Sequence, residues 1–114
     1  MQSDPLLLLF DVRLAAETTE RFALGRTSDD YEQDDMLRSA CERQLEIIGE
    51  AMSRLRDRHP EVFDEVDDGH AIIPLRNRLI HGYDVIDSKI VWDVVTSKVP
   101  TLRQLVDRRM MDKR

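Results

Sequence analysis

One cysteine, four glycines and four prolines occur in 114 residues, and aromatic side chains make up only 5% of the chain. With Cys41 alone there is no internal disulfide framework and no zinc site built on a cysteine pair, which fits a reducing compartment; Cys41 itself reads as core filler. So little glycine and aromatic residue disfavours collagen-like and sandwich designs. Long hydrophobic runs are missing too. The longest, Leu6 to Phe10, falls far below the roughly 20 residues of a membrane span, and no basic region precedes it as a signal peptide requires. The expectation is a soluble cytoplasmic protein without membrane contact. Positive charge is also short: 17 Lys and Arg stand against 23 Asp and Glu, a net charge of -6. No broad basic face for nonspecific nucleic-acid binding is expected, so any contact with RNA must be local.

What is present, 41% hydrophobic and 35% charged residues, suits amphipathic helices in one domain spanning residues 1–114 with a modest core. Asp4 and Pro5 read as an N-cap and first helical position, with Gly25 as the left-handed residue that ends the helix near Leu24. Leu7, Leu14 and Phe22 follow helical spacing there, although Leu6 to Phe10 is apolar nearly all round, which suggests contacts on two sides. Asp29, Asp30, Glu32, Asp34 and Asp35 read as the acidic first turn of a second helix. That helix carries a stripe through Leu37, Cys41, Leu45, Ile48, Met52 and Leu55 and runs to about Arg58. Pro60 to Val66 reads as a short helix and Asp67 to Gly69 as a loop. Leu75, Leu79 and Ile80 behind Pro74 predict a helix that stops at Gly82. Asp87 caps Ser88 to Ser97, where strand propensity competes with helix but a lone strand has no partner. Pro100 opens a last helix with Leu102, Leu105, Val106 and Met110 inward and Arg103, Arg108, Arg109, Lys113 and Arg114 outward. The predicted fold is an all-α four- to five-helix bundle.

Unusual side chains concentrate at Arg76, Asn77, Arg78, His81 and Tyr83. On an ideal helix Asn77 and His81 share a face, whereas Arg76 and His81 are about 140° and about 7.5 Å apart. One helix cannot easily aim both inward, so a site made from them calls for a helix end near His81 or a second copy of the segment across a symmetric dimer. Together these groups suit RNA cleavage. A histidine can take the proton of a ribose 2′-hydroxyl or give one to a leaving 5′-oxygen, and a guanidinium can hold the phosphate as charge builds. The 2′-hydroxyl as internal nucleophile needs no metal, and Asp84 and Asp87 lack ligand-type spacing to other acids, so no metal or cofactor is expected. Asn77 is placed to fix the histidine tautomer, and Arg78 is a candidate RNA contact. The bland reading is a helix-end histidine on the last carbonyls, with Arg76 or Arg78 solvated or paired with Asp84 or Asp87. His59, before Pro60, and His70, in the acidic loop, fit that bland reading better. Arg54, Arg56 and Arg58 would have to line the cleft for RNA to bind, but such a row is more often a solvated helix face.

Three blocks in order resemble the HepT-like branch of the HEPN superfamily: Gln44-Leu45-Glu46-Ile47-Ile48-Gly49-Glu50-Ala51, Leu75-Arg76-Asn77-Arg78-Leu79-Ile80-His81-Gly82-Tyr83-Asp84, and Ile90-Val91-Trp92 before Val99-Pro100. The resemblance covers nearly the whole chain. It implies an all-α, up-and-down four- to five-helix bundle dimerising through the motif-bearing helix, and a metal-independent ribonuclease acting as the toxin of a type VII-like toxin–antitoxin pair. By position, Arg76 and His81 match the catalytic pair, Asn77 the polar residue after the arginine, and Tyr83 the motif tyrosine. The implied partner is a minimal nucleotidyltransferase antitoxin that transfers AMP from ATP to Tyr83. A phosphate-bearing adduct two residues from His81 would occupy the RNA phosphate position and pair with Arg76. Two readings compete with the nuclease: a noncatalytic module that binds a nucleotide or nucleotidyltransferase through the same cleft, and a structural bundle with no site.

Overall fold

The computed structural model describes residues 4–67, 72–81 and 86–112. Helix α1 spans Pro5–Ala23; the Asp4 carboxylate accepts from the Leu6 N–H at 2.8 Å, and Gly25, at φ +74°, turns the chain away. Its core face is Leu8, Leu9, Val12, Ala15, Ala16 and Thr19, the Thr19 hydroxyl donating to the Ala15 carbonyl at 2.7 Å. Leu7 and Leu14, expected on one stripe with Phe22, are instead more than half exposed. The first turn is apolar all round, so spacing alone did not select the buried side.

The acidic segment is two elements. Helix α2, Ser28–Gln33, is closed by a reciprocal capping box between Thr27 and Asp30, and Asp34 then caps α3, Asp35–Arg58. The Leu37 N–H, 3.0 Å from Asp34, together with nearby Arg26 holds that carboxyl below its ordinary range. Helix α3 is the spine of the bundle, packed against α1, α5 and the short α4, Pro60–Val66. It buries Leu37, Cys41, Leu45, Ile48, Met52 and Leu55, the stripe read from the sequence. Burial pushes the Cys41 thiol up to about 11, as expected of a core residue rather than a reactive one. His59 is the junction between α3 and α4.

The C-terminal region is one continuous rod. Helix α6, Ser88–Asp93, capped by Asp87, passes through a π-helical turn, Val94–Lys98, into α7, Val99–Asp112. Pro100 is the second residue of α7, so the last helix starts where the sequence placed it, although the chain enters it from the π-helical turn without a break. Pro100 lacks the N–H that an α-turn would bond backward, and the widened turn ahead of it moves the preceding carbonyls off its ring. Leu102 and Val106 are buried, but Arg103 and Arg109 are not the outward residues expected of them. Arg103 reaches Glu20 on α1 and Asp107, and Arg109 pairs with Glu65 on α4 at 2.8 Å, because their long stems cover apolar surface while their heads find acids on neighbouring helices. Tyr31 on α2 packs on Trp92 of α6, ring centroids 5.0 Å apart. No strand occurs among the described residues, so the bundle is all-α. No helix among them is long and apolar enough to cross a membrane.

Candidate functional site

Helix α5, Ile72–His81, carries the motif. It starts two residues ahead of Pro74, which its first turn tolerates because an N–H there has no intrahelical partner to lose. Ile72, Ile73 and Leu75 are buried and seat α5 against α3, which fixes the direction in which the next turn points.

Arg76 is directed inward. Its stem crosses α3 at Gly49, so closely that a Cβ on that glycine would lie 2.4 Å from the Arg76 Cβ and 2.6 Å from its Cγ. The guanidinium then spreads over two acceptors. Nη2 donates to Oε1 of Glu50, and Nη1 donates to Oδ1 of Asn77 at 2.8 Å. Nε is buried without a hydrogen-bond partner among the described residues. Glu50 is shared: its Oε2 accepts from Nε of Arg54 at 2.8 Å. The acid that Arg76 meets among the described residues is a glutamate 26 residues upstream, and Asp84, one of the two partners offered by the sequence, lies outside the described residues.

Arg76 opens onto a cleft of about 320 Å³ across the outer face of α3, bounded by Leu8 and Asp11 of α1 and by Ile80 of α5, with Arg43, Glu46 and Arg54 along its floor. Ile80, read as part of the apolar stripe of its helix, is half exposed and belongs to this wall. His81 is exposed at the last position of α5 and is not among the residues lining the cleft, as expected from its rotation away from Arg76. Asn77 and Arg78 are exposed on the same helix, and Asn77 turns its amide oxygen to Arg76. Tyr83 and His70 lie outside the described residues. Of the row Arg54, Arg56 and Arg58, only Arg54 reaches the cleft. Among the described residues no group of three or more His, Cys, Asp or Glu side chains forms a metal-ligand set. A second cleft, by Tyr31, Arg38, Glu42 and Ser88, is lined by none of the described motif residues; burial there raises the Tyr31 hydroxyl and the Glu42 carboxyl above their ordinary ranges.

Gly49 and Glu50 were not singled out for chemistry in the sequence, though a signal was there. A lone glycine inside a strong helical stripe marks a close approach of another chain segment.

The class of the protein is an all-α helical bundle with Arg76 and His81 on one short helix. More particularly, residues 12–109 match the family model described as Ribonuclease HepT-like, and the chain belongs to that family. It is 32% identical over 104 residues to "Putative RNase MJ1380" of Methanocaldococcus jannaschii, covering 91% of this chain and 94% of that protein. It is 30% identical over 95 residues to "Probable ribonuclease HepT" of Thermococcus cleftensis, covering 83% and 86%. "Putative RNase TTE0752" of Caldanaerobacter subterraneus is 33% identical over 82 residues, 72% of each chain. No solved structure matches.

Proposed function

We propose that this protein is a metal-independent ribonuclease of toxin type, in which Arg76 clamps an RNA phosphate and His81 moves the proton. The observation that carries this reading is the placement of Arg76. It is drawn over Gly49 into a cleft, mostly shielded from water, with one donor unfilled among the described residues, while His81 stands exposed at the end of the same helix. A shielded guanidinium acts on a phosphate far more strongly than one in bulk water. His81 takes the 2′-hydroxyl proton as that oxygen attacks the adjacent phosphorus, or protonates the departing 5′-oxygen, so that a 2′,3′-cyclic phosphate and a 5′-hydroxyl result.

Because Arg76 and His81 point apart, the working site takes one of them from a second copy, and the protein acts as a homodimer joined through α5. The half-exposed Ile80 on that helix, and Leu7, Phe10 and Leu14 on the outer face of α1, support such an association. Asn77 holds Arg76 in place, and Arg78 adds a contact to the RNA backbone. A nucleotidyltransferase partner silences the enzyme by attaching AMP to Tyr83, putting a phosphate where Arg76 would otherwise take RNA.

The test is RNA cleavage by purified protein. Arg76→Ala and His81→Ala are each expected to lower kcat by at least about a hundredfold while circular dichroism and assembly stay unchanged. Full activity in either variant rejects the assignment. Intact mass after incubation with ATP and the nucleotidyltransferase is expected to rise by AMP units mapping to Tyr83. Nucleotide binding without turnover would favour the noncatalytic module.

A further inference from the structure

The Glu50 carboxylate sits between two guanidinium groups, one oxygen facing Arg76 and the other Arg54. We propose that Arg54 is a second phosphodiester-binding residue of the cleft, and that Glu50 is an internal carboxylate which an RNA phosphate displaces from both arginines. The proposal rests on the reading of the cleft as an RNA site and names how the backbone is held there.

Three observations carry it. First, a carboxylate bridging two arginines marks a place where a phosphate with two free oxygens fits the same donors, since guanidinium groups recognise both anions by paired hydrogen bonds. Second, the two arginines differ in exposure. The Arg76 side chain is 21% exposed, whereas Glu50 and Arg54 are 42% and 52% exposed. The Glu50–Arg54 contact is thus an ordinary solvated pair one helical turn apart, which contributes little and is readily given up, while the shielded Arg76 remains to meet the incoming charge. Third, Arg76 Nε has no acceptor among the described residues, so Glu50 and Asn77 do not engage every donor of the guanidinium.

The charge balance of the cleft points the same way. Asp11, Glu46 and Glu50 face Arg43, Arg54 and Arg76, which leaves no net positive charge for an RNA strand until one acid moves away. Arg43 pairs with Glu46 on its own helix and shares no acceptor with Arg76. Displacing Glu50 therefore frees Arg54 and Arg76 together. In a chain of net charge -6, such a latent pair confines phosphate binding to one place and spares the rest of the surface.

The experiment is fluorescence anisotropy with a single-stranded oligonucleotide carrying 2′-fluoro groups, which has the backbone charge of RNA and no hydroxyl to react. Arg54→Ala is expected to weaken binding on the order of tenfold and to flatten the plot of log affinity against log salt by about 0.7, the loss of one phosphate contact. Glu50→Gln should tighten binding severalfold. Arg56→Ala removes the same charge from the same helix outside the cleft and should leave affinity unchanged within about twofold. Equal losses for Arg54→Ala and Arg56→Ala, weaker binding by Glu50→Gln, or no binding by the unaltered chain overturns the proposal. Arg54-dependent binding in a protein that cuts no unmodified RNA would instead uphold this site and reject the nuclease reading.

Discussion

Gly49 decides where Arg76 goes. The atoms that a new Cβ would meet are the Arg76 Cβ and Cγ, which cannot swing aside as a side-chain tip could, so Gly49→Ala must lift α5 from α3. The expected cost is about 1–3 kcal/mol of stability, as for overpacking elsewhere. RNA cleavage should fall much further than that loss explains, because the guanidinium leaves the cleft. Thermal melting and kcat measured on the same sample check this, and near-normal cleavage by a folded variant would show that the crossing is not needed. The same contact explains why the arginine and not the histidine is the shielded member of the pair. Buried Ile72, Ile73 and Leu75 set the rotation of α5, and His81, five positions on from Arg76, then faces solvent.

Among the elements, the N-terminus of α3 carries a cap that responds to pH. The folded protein holds the Asp34 carboxyl below its ordinary 3.8 through the Leu37 N–H. A depressed carboxyl contributes stability that is fully present above the unfolded value and is lost as pH falls through the folded one. Asp34→Asn should therefore shrink the stability difference between pH 6 and pH 3 relative to the unaltered chain, read by urea denaturation at both pH values; an unchanged difference would mean that the cap does not titrate with folding. The division of the acidic segment into α2 and α3 comes from the same local chemistry. Thr27 with Asp30, and Asp34 with Leu37, are two cap signals close together, and the chain obeys both. The π-helical turn before Pro100 is likewise local, yet it joins two segments that read as separate helices.

On the scale of the whole molecule the proposed site raises the question of how Arg76 and His81 would act together. If the site draws on two copies, protein prepared with Arg76→Ala in one chain and His81→Ala in the other should cleave RNA, although each variant alone does not. Light scattering should give twice the 13.3 kDa of the chain. Inactive mixed assemblies would place the whole site within one copy and require α5 to rearrange near His81. The ties between distant elements, Arg103 to Glu20 and Arg109 to Glu65, suggest a bundle that stays closed while its motif helix is engaged.

The helical class, the long stripe from Leu37 to Leu55, the caps at Asp4 and Asp87 and the break at Pro60 were legible in the residues alone, because each rests on spacing or hydrogen bonds within a few positions. So was the clustering of Arg76, Asn77 and His81 on one helix. The outward turn of Leu7 and Leu14, the inward reach of Arg103 and Arg109, and the pairing of Arg76 with Glu50 across Gly49 were decided only by tertiary structure. Each depends on which face of one helix meets another. A period of 3.6 residues tells which side chains lie together on a helix, and the packing of the neighbouring helices tells which way that group looks.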